Sequence, residues 1–293
     1  MRKQKPERID KSKKPGSLPY VWKGVSKNVG AMAGIVIIVL IIVLSFLSPY
    51  ILKHNYWSIN MLIRFTPPNG DYFFGTDQLG RDILSRVLYG ARYTLAIGVG
   101  AVAISSTTGI TIGVLAGYYG GKLEVILMRI LDIIQSFPAL VLAIAITTVM
   151  GTGIVSCIIS IGVAFMPPFA RNMRANILKV RGTEFIEAAH AINCSTPRIM
   201  FKYLIPNSIS PIIVLISLQI AQAGLTASTL SFLGLGIREP TPEWGSMIAA
   251  SREFIRESPY MVLIPGLFIM ITVLSLNLVG DAIRDALDPR LRT

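Results

Sequence analysis

Apolar residues along this chain gather into six long runs separated by polar stretches, a spacing unlike the short periodic segments of a water-soluble domain. A bilayer core needs roughly 20 apolar residues in helical form. The first run, about Val29 to Leu52, contains AMAGIVIIVLIIVLSFL and predicts an uninterrupted spanning helix. The others cover about Tyr93 to Tyr119, Ile126 to Met150, Ile154 to Ala170, Ser208 to Leu235 and Tyr260 to Asp281. Pro138 lies inside the third run, whereas Pro167, Pro168, Pro206, Pro211 and Pro265 fall near helix ends, where a missing N–H costs least. The basic leader before Val29 is too long for an ordinary signal peptide and no A-x-A site follows the run, so a retained signal-anchor helix is expected.

Finer patterning lies on these runs and between them. Gly109, Gly113 and Gly117 recur every fourth residue, which lets helix backbones approach closely; packing within one subunit is preferred over a dimer seam. Gln219, Gln222, Thr226 and Thr229 form one polar stripe in the fifth run. Two readings stand for it: the lining of a translocation path, or interhelical hydrogen bonding. Between the first two runs, Ile83, Leu84, Val87 and Leu88 make an apolar face with Arg81, Ser85 and Arg86 opposite, and Asp82 placed to cap the helix. Trp244, Met247, Ile248, Phe254 and Ile255 make a second apolar face. Both stretches are expected to lie along the membrane interface.

Composition agrees with a chain solvated by lipid: 52% of its 293 residues are hydrophobic and only 15% charged, with a mean hydropathy of +0.60. The net charge of +12 raises nucleic-acid binding, but much of it sits in the tail (Arg2, Lys3, Lys5, Arg8, Lys11, Lys13, Lys14, Lys23, Lys27). A polybasic segment before a membrane helix sets orientation and meets anionic headgroups; no nucleic-acid motif accompanies it. With both termini cytoplasmic, the inner segments hold twenty Lys and Arg against eight outside, as the positive-inside rule requires. The expected organisation is a basic tail (1–28), helix 1 (29–52), an outer segment with an interfacial helix (53–92), a core (93–283) and a C-terminal tail (284–293). The core includes a cytoplasmic loop (171–207) and an outer loop (236–259).

Chemistry within the chain is sparse. Asp132 is the deepest ionisable candidate, with Arg129 placed to pair with it; no ion relay or broken helix is evident. The GYYGGK stretch ending at Lys122 is no P-loop, because Ala116 and Leu123 stand where Gly and Ser or Thr are needed. Gly98 and Gly100 lie inside an apolar helix, and His54 and His190 are isolated. Cys157 and Cys194 have no CxxC or metal-ligand spacing. No catalytic set assembles, and no cofactor or metal is expected in this chain.

The most informative loop is 171–207. Gly182 ends the preceding helix, Thr183 is placed to cap a short helix starting at Glu184, and Phe185, Ile186, Ala189 and Ile192 give it an apolar side. Asn193 supplies a left-handed stop. Thr196 and Pro197 start a second helix that Pro206 closes.

This segment resembles the EAA loop of ABC importer permeases, carried by Glu187-Ala188-Ala189, Asn193 and Ile205-Pro206, with Asn193 where the family pattern usually has Gly. Further stretches narrow the resemblance to the dipeptide/oligopeptide/nickel branch, in its C-type subunit. They are Gly75-Thr76-Asp77, Gly80-Arg81-Asp82, Ser231 to Gly236, Pro240 to Gly245, Gly280-Asp281 and Arg284 to Arg290. The resemblance implies an all-α type I importer permease with one helix added to a five-helix core, in the cytoplasmic membrane of a prokaryote. It implies a second homologous permease subunit, two cytoplasmic ATPases carrying ATP and Mg, and an extracytoplasmic binding protein received on the outer surface. Peptide import is the expected function, with nickel import and a non-transporting sensor or scaffold as alternatives. The resemblance makes Glu184, Glu187, Ala188, Ala189, Asn193 and Pro206 parts of an ATPase-coupling loop whose short helix would dock on the ATPase; Glu187 either contacts it or only favours the helix N-terminus.

Overall fold

The computed structural model describes residues 18–287, which are predominantly helical, with long non-helical stretches only within 52–82 and 233–243. Lys23 and Lys27 fall within these residues; the other basic tail residues and the Asp288-Pro289-Arg290 end of the last motif lie outside them.

Helix α1 (Leu18–Val25) is followed by α2 (Val29–Ile51), whose first turn is capped by Asn28 accepting from the Ala31 N–H at 3.1 Å. At about 1.5 Å per residue its 23 residues suffice to cross a bilayer. Pro49 lies inside α2 and cannot donate to the Ser45 carbonyl one turn earlier. Arg92 supplies the missing donor, its Nε lying 3.0 Å from Ser45 O while its guanidinium stacks over Tyr89 at 4.2 Å and Phe46 at 5.0 Å.

The interfacial helix expected before residue 93 is not a separate element. Helix α3 runs from Ile83 to Tyr119 without a break, 37 residues in all, and nothing from 83 to 93 interrupts the ladder. Gly90 sits inside it because a Cβ there would meet Pro242 O at 3.2 Å. Asp82 does cap it, accepting from the Ser85 N–H at 2.9 Å. Towards its other end α3 packs on α7 (Met166–Arg181) through the glycine stripe. Added Cβ atoms at Gly109, Gly113 and Gly117 would approach Phe169, Ala170 and Ile177 to 2.5–2.8 Å, so the stripe serves packing inside this chain.

The third run is broken. Helices α4 (Gly121–Gln135) and α5 (Ala139–Met150) meet at 88° across Ser136–Pro138, because a proline pushes the residue before it out of the helical region. The fourth run bends 41° at Phe165 between α6 (Ile154–Ala164) and α7, with Pro167 and Pro168 in the first turn of α7. Among the described residues four helices are long and apolar enough to cross a membrane, and counting each bent pair as one span gives six.

Beyond α7 come α8 (Glu184–Ala191), a wound connection described below, α11 (Ser210–Phe232), α12 (Trp244–Ser251) and α13 (Tyr260–Leu287). A buried core of Ile97, Ala101, Ile161, Met173, Ala223 and Leu230 joins α3, α6, α7 and α11. Helix α13 closes the bundle beside α2, with a Cβ at Gly34 falling 2.7 Å from Ser275 O. Its last turns hold α1, where Gly24 lies 2.7 Å from the Ala286 Cβ in the same sense. One end of the bundle thus carries α1, residues 182–208 and the end of α13. The opposite end carries residues 53–82 and 233–259.

Candidate functional site

Residues 182–208 build a platform on the first of these ends. Gly182 terminates α7, and α8 starts at Glu184 with Glu184 and Glu187 in its first turn. Thr183 occupies the capping position without capping; its hydroxyl donates back to Val180 O at 2.6 Å. The predicted apolar side divides in two. Ile186 and Ala189 are buried, while Phe185 and Ile192 face outward beside Glu184, Glu187 and Ala188. At this end the His190 ring stacks on Tyr118 of α3.

Asn193 adopts φ +57, so a helix-ending motif closes α8. The Asn193 N–H donates to His190 O at 2.9 Å and the Cys194 N–H to Ala189 O at 3.0 Å. The chain re-enters a helix at α9 (Thr196–Arg198), where Thr196 is the first helical residue and Ser195 holds the capping position without a side-chain bond. Pro206 does not close this helix. A π-helical turn (Ile199–Leu204) leads directly into α10 (Ile205–Ser208). There the Ile205 N–H donates to Met200 O, five residues back. The wider turn accommodates a proline that has no N–H to donate. Helix α8 is therefore joined to α11 through one wound segment, footed on Ile199, Met200 and Leu204.

The polar stripe of α11 is less uniform than its spacing suggests. Gln222 is exposed, Gln219 and Thr229 are half-buried, and Thr226 is buried. The Thr226 and Thr229 hydroxyls donate to the carbonyls of Gln222 and Leu225, each at 2.9 Å. The Gln219 and Gln222 amides are the larger polar groups of the stripe, and neither is buried. Asp132, expected to pair with Arg129, takes Arg171 as its near partner at 2.6 Å, with Arg129 at 3.8 Å.

At the opposite end lies a cluster that sequence spacing hid. Arg81 and Arg86, placed by their pattern on a solvent face, are 2% and 1% exposed. The Arg81 Nε donates to Asp77 Oδ2 at 2.6 Å, and its two terminal nitrogens fork onto Glu239 at 3.1 and 2.9 Å. Arg86 donates to Glu239 Oε1 at 3.1 Å and lies 3.7 Å from Asp77. Two guanidiniums and two carboxylates balance. Burial works against the Arg81 charge, but the Glu239 hydrogen bonds and the Asp77 charge more than offset it and hold the group above its ordinary range. Glycine makes the geometry possible: Gly80 sits at φ +69, where a Cβ would fall 1.8 Å from Asn60 O.

Glu243, fully buried, extends the tie to the spanning helices. It caps α12 by accepting from the Ser246 N–H at 3.0 Å, and also accepts the hydroxyls of Thr94 on α3 at 2.9 Å and Ser228 on α11 at 3.1 Å. Trp244 donates to Val87 O at 2.9 Å, and Trp244 and Met247 are buried rather than laid on an interface. Ile255 alone of that predicted face is well exposed.

Comparisons with known proteins agree in kind. Residues 109–293 match the family described as binding-protein-dependent transport system inner membrane component, and residues 19–68 match the N-terminal TM domain of oligopeptide transport permease C. The chain is 41% identical to the dipeptide transport system permease protein DppC of Alkalihalophilus pseudofirmus, covering 93% of this chain and 90% of that one. It is 37% identical to the di/tripeptide transport system permease protein DppC of Pseudomonas aeruginosa, over 95% and 94%. Against the glutathione transport system permease protein GsiD of Pectobacterium atrosepticum it is 38% identical, over 93% and 91%. Among solved structures, an inward-facing conformation of the MetNI methionine ABC transporter shares the fold with a TM-score of 0.57 at 20% identity, covering 70% of this chain and 97% of that one.

Proposed function

The chain belongs to the binding-protein-dependent transport system inner membrane components, the permeases of ABC importers, and from that membership we propose that it forms half of a path carrying short peptides into the cell. It is a multi-pass inner-membrane protein, and its relatives are transport permeases rather than enzymes. Members of this family work with ATPase and substrate-binding partners. The relatives named for dipeptides, di/tripeptides and glutathione favour a peptide substrate over nickel.

The observation that carries the mechanism is the platform around α8. Glu184, Glu187 and Ala188 face outward while Ile186 and Ala189 root the helix in the core. In this proposal two ATPases, holding ATP and Mg, each receive such a helix, one from this chain and one from a second homologous permease. The wound segment from Thr196 to Ser208 is continuous enough to hand a displacement of α8 to α11 and the Gln219 and Gln222 amides. The platform then faces the cytoplasm together with both termini, consistent with twenty of the 28 basic residues on that side. The opposite end, clasped by Arg81 and Glu239, faces the binding protein. The Arg81, Arg86 and Glu243 contacts join residues 53–82 and 236–259 to α3 and α11, so the outer mouth moves with the helices lining the path.

The test is uptake by membranes holding the complete complex. Labelled dipeptides and tripeptides are expected to accumulate with ATP and nickel is not; ATP-driven nickel uptake without peptide uptake would overturn the substrate assignment.

A further inference from the structure

Six ionised side chains meet where α4 and α7 diverge, and the transport path described above does not use them. Arg174 pairs with Glu124, with Nε 2.6 Å from Oε1, and Arg171 pairs with Asp132 at 2.6 Å. Arg129 is 79% exposed and reaches Asp132 only at 3.8 Å, while the two carboxylates of the cluster pair with arginines and not with Lys122. Four cations face two anions. Together they line an open cavity of about 1170 Å³ beside the 88° break between α4 and α5.

Position along α7 gives this cluster its meaning. Arg181 marks the platform end of α7, where its guanidinium reaches Gly117 O at 3.4 Å. Arg174 and Arg171 lie two and three turns further in, about 10 to 15 Å at 1.5 Å per residue. All four cations belong to the inner segments 120–129 and 171–207, so the cavity opens on the cytoplasmic side of the bundle. The cavity exceeds the volume that usually encloses a drug-sized ligand, leaving room for a short peptide with its water.

We propose that this cavity is an inner holding site for peptides with free termini. Lys122 and Arg129, the two cations without a close partner, receive the C-terminal carboxylate. Glu124 and Asp132 keep lone pairs beyond those taken by their arginines and accept from the N-terminal ammonium. Pairs this exposed bind weakly, which suits a site that must release its occupant to the cytoplasm. The inference rests on the peptide-import reading and on the platform facing the cytoplasm.

The test uses the complete complex in inside-out vesicles, with Val125→Cys as reporter in a Cys157→Ala, Cys194→Ser background. Val125 lines the cavity, is exposed and carries no charge. An uncharged, membrane-impermeant thiol reagent is expected to modify it. Dialanine added on the cytoplasmic side should slow the reaction in proportion to occupancy, about twofold when its concentration equals its dissociation constant. N-acetyl-dialanine amide should not, and adding Lys122→Gln and Arg129→Gln should abolish the protection. Equal effects of the free and blocked peptides overturn the proposal. Access gained only after detergent extraction does so too, because lipid or the partner permease then fills the cavity. Dialanine uptake by right-side-out proteoliposomes separates the two levels: uptake without protection removes the holding site alone, and no uptake removes the peptide reading with it.

Discussion

Replacing Glu239 with Gln keeps the shape of the side chain and removes the charge on which two buried guanidiniums converge. Arg81 loses a forked partner held at 2.9 and 3.1 Å, and Arg86 loses a bond at 3.1 Å. Asp77 is left as the single carboxylate for two cations that are 2% and 1% exposed. Breaking a buried pair from one side typically costs about 3–5 kcal/mol. Glu239 is itself one-third exposed, so about 3 kcal/mol is the expected loss, a factor of about a hundred in local opening. Ser251→Cys reports that opening, because Ser251 is buried against the cluster. Its labelling from the outer face, in the cysteine-free background, should accelerate by that factor in the Glu239→Gln variant. A second removal, Arg81→Met, restores the balance between Arg86 and Asp77. The double variant should therefore label more slowly than the two single effects combined would give. A single-variant change below about 1 kcal/mol, or strict additivity, would refute the clasp.

Other perturbations follow from local geometry. Gly113→Ala should destabilise the purified complex by about 1–3 kcal/mol through overpacking against Ala170 O. Gly224→Ala, whose Cβ would meet nothing within 4 Å, should leave its melting unchanged. Arg92→Met orphans the Ser45 carbonyl and should cost about 1–3 kcal/mol. Pro49→Ala should recover most of that loss in thermal melts by restoring the N–H. At φ +57, Asn193→Gly should preserve ATPase co-purification, whereas Asn193→Ala should weaken it through a cost of about 1 kcal/mol in the left-handed region.

Long apolar runs made α2, α11 and α13 legible, because lipid leaves few alternatives for twenty consecutive apolar residues. Local rules also located the Asp82 cap and the left-handed Asn193. Pro138 was visible but ambiguous: prolines in membrane helices either kink slightly or break the span, and here the chain turns by 88°. Arg81 and Arg86 read as a solvent face because the carboxylate that satisfies them, Glu239, lies more than 150 positions away. The same long-range pairing hid the union of the outer helix with α3. Pro206 read as a terminator because a wide π-helical turn has no local sequence signature. The glutamine and threonine stripe shows a limit of another kind, since spacing identifies one helix face and cannot say which neighbour covers Thr226.

The central claim is that α8 receives an ATPase and drives the path. Glu187→Ala combined with Ala188→Asp alters the outward face while Ile186 and Ala189 keep the helix rooted. Peptide uptake and ATPase co-purification are measured together in membranes where insertion of the variant is verified. The account predicts that both fall steeply while insertion persists. Undiminished uptake with normal ATPase association would contradict it.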